Sequence, residues 1–246
     1  AASRTSIQIP GVQTELLAEV KKLGKPVVVV LMNGRPLDVT REHQLADALL
    51  EAWYPGTMGG KAVTQVLYGE YNPSGKLPMT FPLNLGQVPV YYYAKNTGRP
   101  IYLPNDKYKS KYIDAPNDPL YPFGYGLSYT QFSYTGLQLN TTELTATGAL
   151  KATVTVTNTG QYDGVEIVQW YVRDHVGSVT RPLKELRGFN RIELKKGESK
   201  QVEFTLTADQ LAFHRLDMSF GTEPGDFSLF AGGNSKDLLE ARFVLR

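Results

Sequence analysis

Hydrophobic and polar positions follow two different patterns in the two halves of the chain. In the first half, apolar residues recur at helical spacing and are followed by an unbroken apolar run over residues 27–32. The first pattern predicts an amphipathic helix from Pro10 to Gly24, and the second predicts a strand that is buried on both faces. The predicted apolar face of the helix consists of Val12, Leu16, Leu17, Val20 and Leu23.

Short strand-like and helix-like runs continue to alternate up to about residue 81. The predicted elements are a helix at 40–45, a strand at 48–53, a helix at 59–67 and a third short strand at 76–81. Alternation at this spacing favours a mostly parallel sheet with helices on its faces. Residues 88–93 are interpreted as an edge piece, and residues 96–117 as a long surface excursion.

Period-two alternation dominates after residue 128. It is plainest over residues 152–157, where Ala, Val and Val interleave with three threonines. Strands are predicted at residues 132–139, 149–158, 165–173, 183–194, 198–207, 219–221, 227–231 and 240–244. Strands at this spacing, each with one apolar face, indicate an antiparallel sandwich of the immunoglobulin or fibronectin type III kind.

An aromatic stretch over residues 120–132 joins the two patterns. It contains too many rings for a solvated linker, while Pro122 forbids a helix and Gly124 and Gly126 permit sharp turns. We interpret it as a packed seam between two domains. The predicted fold is an α/β domain over residues 1–128, followed by an all-β fibronectin type III-like sandwich over residues 129–246.

Composition and charge exclude several classes of function. The 26 basic and 24 acidic residues leave a net charge of +2, so nucleic acid and anionic lipid are not expected as principal partners. The longest apolar run has six residues, too few to cross a membrane. Without cysteine, disulfides and thiolate catalysis are excluded.

No cofactor or metal ion is expected. The three histidines are far apart in sequence and have no partners at ligand spacing. The glycine-rich residues 56–61 fail as a phosphate loop because Ala62 stands where a hydroxyl would be needed for Mg²⁺. A glycine-rich turn between strand and helix is the preferred interpretation.

Catalytic carboxylates cannot be paired from the sequence. The acids of the first half are interpreted as solvated or salt-bridged, and they are Asp38, Asp47, Glu51, Glu70 and Asp114. Loops that follow the strand ends, at residues 33–36 and 54–57, are expected to form the crevice where open sheets bind ligands. The opening Ala-Ala-Ser-Arg-Thr-Ser resembles neither a signal peptide nor a start, so we expect the chain to be part of something larger.

Five motifs together identify a family resemblance. They are Ser3-Arg4-Thr5, Leu31-Met32-Asn33-Gly34-Arg35-Pro36, Glu51-Ala52-Trp53-Tyr54-Pro55-Gly56 with Gly59-Gly60, the run from Gly69 to Pro78, and the run from Tyr121 to Thr130. In this order they resemble glycoside hydrolase family 3, above all its bacterial periplasmic-type β-glucosidases. The resemblance covers all 246 residues.

The resemblance implies the C-terminal portion of a retaining, exo-acting β-glucosidase that is periplasmic or secreted and acts on a β-glucoside or short β-glucan. In this family the nucleophile is an aspartate on an N-terminal (β/α)8 barrel portion, which would be the partner. The acid/base glutamate of close relatives would immediately precede Ala1. The chain alone is therefore expected to hold neither catalytic carboxylate and to be inactive, and a homodimer is left open.

Four residues are predicted to contribute to substrate binding. Arg4 is placed beside the acid/base by the resemblance, where a guanidinium would favour the ionised form of the carboxyl. Asn33, Arg35 and Tyr54 are the weaker candidates, as residues of the crevice loops. Structural roles are the alternative for both arginines: Arg4 would hold its loop to the sheet, and Arg35 would make a salt bridge before Pro36.

A competing hypothesis is a non-catalytic carbohydrate-binding or adhesion module that uses the sandwich for contacts. The chain has no internal repeat, whereas an adhesion array would more often repeat the sandwich. Two loops, residues 107–112 and 174–182, are predicted to reach either a partner subunit or the sugar-binding side of the cleft.

Overall fold

The computed structural model describes residues 4–99 and 108–246. They form two compact units whose segments interleave along the chain. The first unit comprises Ala1–Tyr71, Met79–Val90 and Pro116–Pro122, and the second comprises Asn72–Pro78, Tyr91–Ala115 and Phe123–Arg246. The predicted division between residues 128 and 129 stays a prediction.

The first unit is an α/β structure with a parallel strand pair. Its elements are α1 (Gln13–Lys21), β1 (Val28–Leu31), α2 (Thr40–Leu45), β2 (Ala48–Glu51), α3 (Gly59–Leu67) and a 3-10 turn at Leu85–Gln87. β1 and β2 pair in parallel, with Val28 opposite Ala48 and Leu31 opposite Glu51. The predicted alternation of strand and helix is therefore confirmed. Across the described ranges, no helix combines the length and apolar character that crossing a membrane requires.

Two predicted strands are wrong. Over residues 76–81 no strand forms, and Phe81 makes only an isolated bridge with Tyr121. Proline at positions 78 and 82 removes ladder donors from this stretch, so that its backbone pairing is confined to Leu77 and Phe81. Residues 88–93 form no strand either, and the peptide bond before Pro89 is cis.

The predicted apolar face of α1 is only partly buried. The helix begins at Gln13, three residues after the predicted start. Leu17 is buried, whereas Leu16 is 62% exposed and Val12 and Leu23 are more exposed still. The apolar face is therefore present as predicted, but most of it is exposed in the described residues of the unit.

The second unit contains the predicted sandwich. Its strands are β3 (Phe132–Leu139), β4 (Glu143–Leu144), β5 (Ala149–Asn158), β6 (Gly164–Asp174), β7 (Glu185–Leu194), β8 (Ser199–Thr207), β9 (Phe213–His214), β10 (Phe220–Gly221), β11 (Gly225–Gly232) and β12 (Leu238–Leu245). One sheet has the order β3-β5-β8 and the other β4-β12-β11-β6-β7. Pairing is antiparallel apart from the short β4–β12 contact. The two-residue strands β4 and β9 were not predicted.

The sandwich core follows the predicted alternation. Ala152, Val154 and Val156 are fully buried and contact the opposite sheet's residues in one apolar cluster. Trp170 stacks on Phe204 with ring centroids 5.3 Å apart, and its indole N–H finds an acceptor within 2.7 Å. Burying the ring while satisfying its one polar group makes this a well-determined core position.

Part of the aromatic seam packs within the second unit. Phe123 stacks on Tyr92 with centroids 4.2 Å apart. Gly124 has φ +78°, and the Gln169 side chain donates to its carbonyl over 3.0 Å. A Cβ at Gly124 would overlap the Gln169 amide, so this position needs glycine for space as well as for conformation. Leu127 and Tyr129, by contrast, are exposed.

Candidate functional site

The carboxyl ends of β1 and β2 define the candidate site. Because the two strands are parallel, the loops that follow them lie at the same edge of the sheet, where open α/β sheets bind ligands. A cavity of about 830 Å³ opens along β1 and this edge. All four residues predicted from the sequence line it: Arg4, Asn33, Arg35 and Tyr54.

Arg35 ties the segment at residues 4–6 to the loop after β1. Its guanidinium donates to the carbonyl of Ser6 over 3.0 Å and also to the carbonyl of Arg4. The Asn33 side chain in turn donates to the Arg35 carbonyl over 2.8 Å. Among the described residues Arg35 has no carboxylate partner, so the predicted salt bridge is wrong, and its partners are carbonyl oxygens instead.

Arg4 lines the cavity, and among the described residues its side chain has no partner. The residue is exposed, and within residues 4–99 and 108–246 its guanidinium makes no hydrogen bond or ion pair. Its backbone is held by Arg35, so Arg4 does not itself hold the loop to the sheet. The guanidinium is therefore available to a carboxylate or to a polar ligand.

The turn after β2 points Tyr54 outward. Trp53 has φ +48°, a left-handed conformation that non-glycine residues seldom adopt, and its ring packs on Phe81. Tyr54 is 81% exposed, and the edge of its ring lies against Gly34. A Cβ at Gly34 would come within 2.9 Å of Tyr54 Cε2. Glycine at this position therefore leaves room for the Tyr54 ring.

Glu51, at the last position of β2, lies at the same carboxyl edge but does not line the cavity, and the sequence had given it no role there. One oxygen accepts the Trp53 N–H over 2.9 Å. Burial raises the pKa of this carboxyl, against the opposing effect of hydrogen bonds from the Trp53 N–H and the Asn33 side chain. Its second oxygen and Asn33 Oδ1 are both buried, and neither has a partner among the described residues.

The interpretation of Glu51 as a solvated or salt-bridged acid is therefore wrong. The position of Glu51 in the sequence pointed to its burial. This carboxylate lies near the end of a predicted strand, shortly before the turn at Pro55 and Gly56. Because apolar neighbours on both sides would desolvate such a group, its burial was foreseeable. The orientation of Asn33 towards Glu51 was not foreseeable, because it depends on contacts between segments that are separate in sequence.

The cavity can orient a polar ligand but does not hold a carboxylate pair. Within the described ranges Glu42 is the one carboxylate that lines it, and this buried group accepts the Thr14 hydroxyl. No group of His, Asp or Glu side chains in the described part of the chain could hold a metal ion. A cation at Arg4 and an exposed ring at Tyr54 are the free functional groups that remain at the carboxyl edge.

The two loops predicted to reach a partner or the sugar remain predictions. In the loop at residues 174–182, the Arg181 guanidinium bonds Glu185 over 2.8 Å and lies 4.1 Å from the centre of the Phe213 ring. These contacts hold the loop to its own unit. The loop at residues 107–112 begins outside the described residues, and its Tyr108 and Tyr112 are exposed.

Comparison with protein families divides the chain in two. Residues 1–129 match the family described as Glycosyl hydrolase family 3 C-terminal domain. Residues 166–235 match the Fibronectin type III-like domain.

Proteins of known name match almost the whole chain. A periplasmic beta-glucosidase of Salmonella typhimurium is 49% identical over 247 residues, which cover 100% of this chain and 32% of the relative. A beta-xylosidase of Formosa agariphila is 45% identical over 95% of this chain and 31% of its own length. Among solved structures, the beta-glucosidase of Listeria innocua in complex with glucose superposes with a TM-score of 0.94 at 41% identity, over 99% of this chain and 34% of that one. The chain thus spans about a third of the length of these relatives.

Proposed function

The chain belongs to the family of glycosyl hydrolase family 3 C-terminal domains, and on this premise we propose that it is the C-terminal portion of a retaining, exo-acting β-glucosidase. The observation that carries the proposal is the convergence of Arg4, Asn33, Arg35 and Tyr54 on one cavity at the carboxyl edge of β1 and β2. The names of the relatives that match the chain along its length supply the reaction class.

The proposed chemistry divides the work between two portions of the enzyme. A retaining glycosidase needs two carboxyl groups about 5 Å apart. One attacks the anomeric carbon to form a glycosyl-enzyme, while the other protonates the departing oxygen and later takes a proton from water. We assign the nucleophile to an N-terminal (β/α)8 barrel portion, and neither carboxyl group to the residues of this chain.

The crevice residues then have separate roles. Arg4 would lie beside the acid/base carboxyl and favour its ionised form in the step that activates water. Tyr54 would offer an exposed ring face to the apolar side of a pyranose. Asn33 and Arg35, whose polar groups bond neighbouring backbone, would act by holding the loops that carry the other two.

The remaining assignments follow from the same proposal. The substrate is a β-glucoside or short β-glucan with a terminal non-reducing glucosyl residue. A periplasmic or secreted location is proposed because the Salmonella relative is named as periplasmic. A homodimer stays a prediction.

Hydrolysis of an aryl β-glucoside tests the proposal. We expect activity from the full-length protein and from this chain mixed with the N-terminal portion, and none from this chain by itself. An aryl β-xyloside should be assayed in parallel, because the Formosa relative is named a beta-xylosidase. A verified complex that binds oligosaccharide but hydrolyses neither substrate would support the non-catalytic module instead.

A further inference from the structure

Glu51 lies where the two crevice loops begin. It is the last residue of β2 and pairs with Leu31, the last residue of β1. The Ala52 N–H donates to the Leu31 carbonyl over 2.9 Å, which fixes the ends of the two strands to each other. The loops that follow carry Asn33 and Tyr54. A side chain at this point is therefore in a position to act on both loops.

The Glu51 carboxyl holds the turn that carries Tyr54. One carboxyl oxygen accepts the Trp53 N–H, two residues further along the chain, over 2.9 Å. Trp53 has φ +48°, and a non-glycine residue keeps such a conformation only where its surroundings hold it there. The Trp53 ring also packs on Phe81, with ring centroids 5.9 Å apart. The hydrogen bond to Glu51 thus helps to fix the backbone from which Tyr54 projects.

The same carboxyl faces the loop that follows β1. Hydrogen bonding from the Asn33 side chain opposes the rise in the Glu51 pKa that burial causes, so this amide lies close to the carboxyl. The Asn33 side chain also donates to the Arg35 carbonyl over 2.8 Å, within its own loop. Glu51 therefore contacts both loops, one through a backbone N–H and the other through a side-chain amide.

Tyr54 depends on its surroundings because its own polar group does not anchor it. Among the described residues the Tyr54 hydroxyl makes no hydrogen bond, and the residue is 81% exposed. Its ring lies against Gly34 of the other loop, where a Cβ would come within 2.9 Å of Tyr54 Cε2. The position of the ring is therefore set by the backbone turn that carries it and by its contact with the loop after β1.

We propose that Glu51 is a positioning residue, which orients Tyr54 for a sugar ring of the substrate by holding the two crevice loops together. Glu51 does not line the cavity, so it acts through these loops and does not contact the substrate. The inference rests on the proposed function, because it names what prepares the crevice for a sugar. A role that is only structural would stabilise the unit without affecting how Tyr54 meets the substrate.

A double-mutant cycle in the full-length protein tests the proposal. Glu51→Ala should raise KM for an aryl β-glucoside about tenfold and change kcat little, because it removes an orienting contact and no reacting group. In the Tyr54→Ala background the same change should raise KM less than about twofold, since the ring that it misplaces is already gone. Additive losses would overturn the proposal, because Glu51 would then act without Tyr54. An unchanged KM in Glu51→Ala alone would overturn it as well.

Two further variants separate positioning from folding. Glu51→Gln keeps an oxygen that can accept the Trp53 N–H, so it should bring KM back to within about threefold of the wild type. Val154→Ala weakens the buried core of the sandwich and should leave KM unchanged. A rise of KM in Val154→Ala as large as that in Glu51→Ala would mean that KM follows lost stability, and it would contradict the positioning role.

Hydrogen exchange in the full-length protein gives a readout that does not involve hydrolysis. The Trp53 amide should exchange at least about tenfold faster in Glu51→Ala than in the wild type, and at about the wild-type rate in Glu51→Gln. Unchanged exchange in Glu51→Ala would show that the carboxyl does not hold the turn, and the proposal would be wrong. If the Trp53 amide responded as expected but the wild type hydrolysed no glycoside, the proposed function would fail and Glu51 would keep only a structural role.

Discussion

The sandwich and the α/β unit differ in how completely each buries its own apolar residues. In the sandwich, two sheets cover one another, and Trp170 and Leu229 have no exposed surface. In the α/β unit a two-stranded sheet leaves Leu16 and Val28 open. A two-stranded sheet is marginal by itself, so the described residues of the first unit form a weaker core than the sandwich does.

Buried polar groups do not show this contrast, because both units keep buried side-chain atoms without a hydrogen-bond partner in the described residues. In the second unit such atoms lie on Tyr134, Asp174, Arg181, Arg187 and Arg215. In the second unit Lys76 and Glu166 form an ion pair of 3.1 Å with little exposure, and Lys76 also donates to the Gly126 carbonyl. In the first unit, the Glu51 and Asn33 side chains each keep one buried oxygen without a partner in the described residues. An unsatisfied buried acceptor lowers stability. The first unit therefore keeps two unfavourable buried oxygens at the edge where we propose that the substrate binds.

The largest expected effect comes from truncating a leucine in each unit. Leu229→Ala should lower the free energy of unfolding of the sandwich by about 2.7 to 5 kcal/mol, because it leaves a cavity in a closed core. Leu16→Ala should change the free energy of unfolding of the isolated chain by less than about 0.5 kcal/mol, because that side chain is already solvated.

Urea unfolding followed by tryptophan fluorescence measures both effects, since Trp53 lies in the first unit and Trp170 in the second. A loss on Leu16→Ala as large as that on Leu229→Ala would show that the two units do not differ in the way argued above.

The buried ion pair gives the next largest effect. Glu166→Gln should cost about 3 kcal/mol, because it leaves the Lys76 ammonium buried without its carboxylate. Glu203→Gln is the matched control: it breaks a pair of 3.2 Å with Lys151 in which both side chains are more than half exposed. That change should cost less than about 1 kcal/mol. Comparable losses in chemical denaturation would contradict the distinction.

The sequence predicted the sandwich better than the α/β unit for a physical reason. Period-two alternation at residues 152–157 reports burial on one face directly, and the partner sheet lies within the same chain. The apolar stripe of α1 was equally clear, but a stripe does not show whether a second layer covers it, and among the described residues Val12, Leu16 and Leu23 stay exposed. The third strand at residues 76–81 failed because two prolines outweighed an apolar pattern.

The candidate site was predictable in location but not in detail. Parallel strands ending at Leu31 and Glu51 placed the loops of Asn33, Arg35 and Tyr54 together. The carbonyl partners of Arg35 could not be predicted, because they belong to a segment about thirty residues away in sequence that has no regular structure. The left-handed conformation of Trp53 also carried no sequence signal, since no glycine marks it.

Removal of an exposed aromatic ring should lower catalysis when the ring lies at the crevice of the first unit and not when it lies on the second unit. Tyr54→Ala should lower kcat/KM of the full-length protein for an aryl β-glucoside about tenfold, or 1.4 kcal/mol, by removing a ring face from the crevice. Tyr162→Ala removes a similarly exposed ring from the second unit and should leave kcat/KM unchanged. Steady-state kinetics of both variants measure these changes in kcat/KM. Equal losses in the two variants would mean that Tyr54 does not contact the substrate.

The smallest expected effect is on the pH dependence of stability, which should have opposite signs for one carboxyl group in each unit. Burial raises the pKa of Glu51 above its ordinary 4.5, so the folded state holds this proton more tightly than the unfolded state. Its favourable contribution is complete below pH 4.5 and is lost as pH rises through the folded pKa. Glu51→Gln should therefore gain stability relative to the wild type as pH increases.

Asp217 in the second unit should behave in the opposite way. Hydrogen bonds from the Ser219 hydroxyl and N–H lower the pKa of this carboxyl below 3.8, so its contribution is present above that pH and lost as pH falls through the folded pKa. Asp217→Asn should therefore be less stable than the wild type near neutral pH, with the difference fading in acid. Urea midpoints of the wild type and both variants, from pH 3 to 8, measure the two slopes. A slope of zero for Glu51 would mean that its carboxyl is solvated, and a slope of the same sign as that of Asp217 would mean that a partner in the folded state stabilises its ionised form.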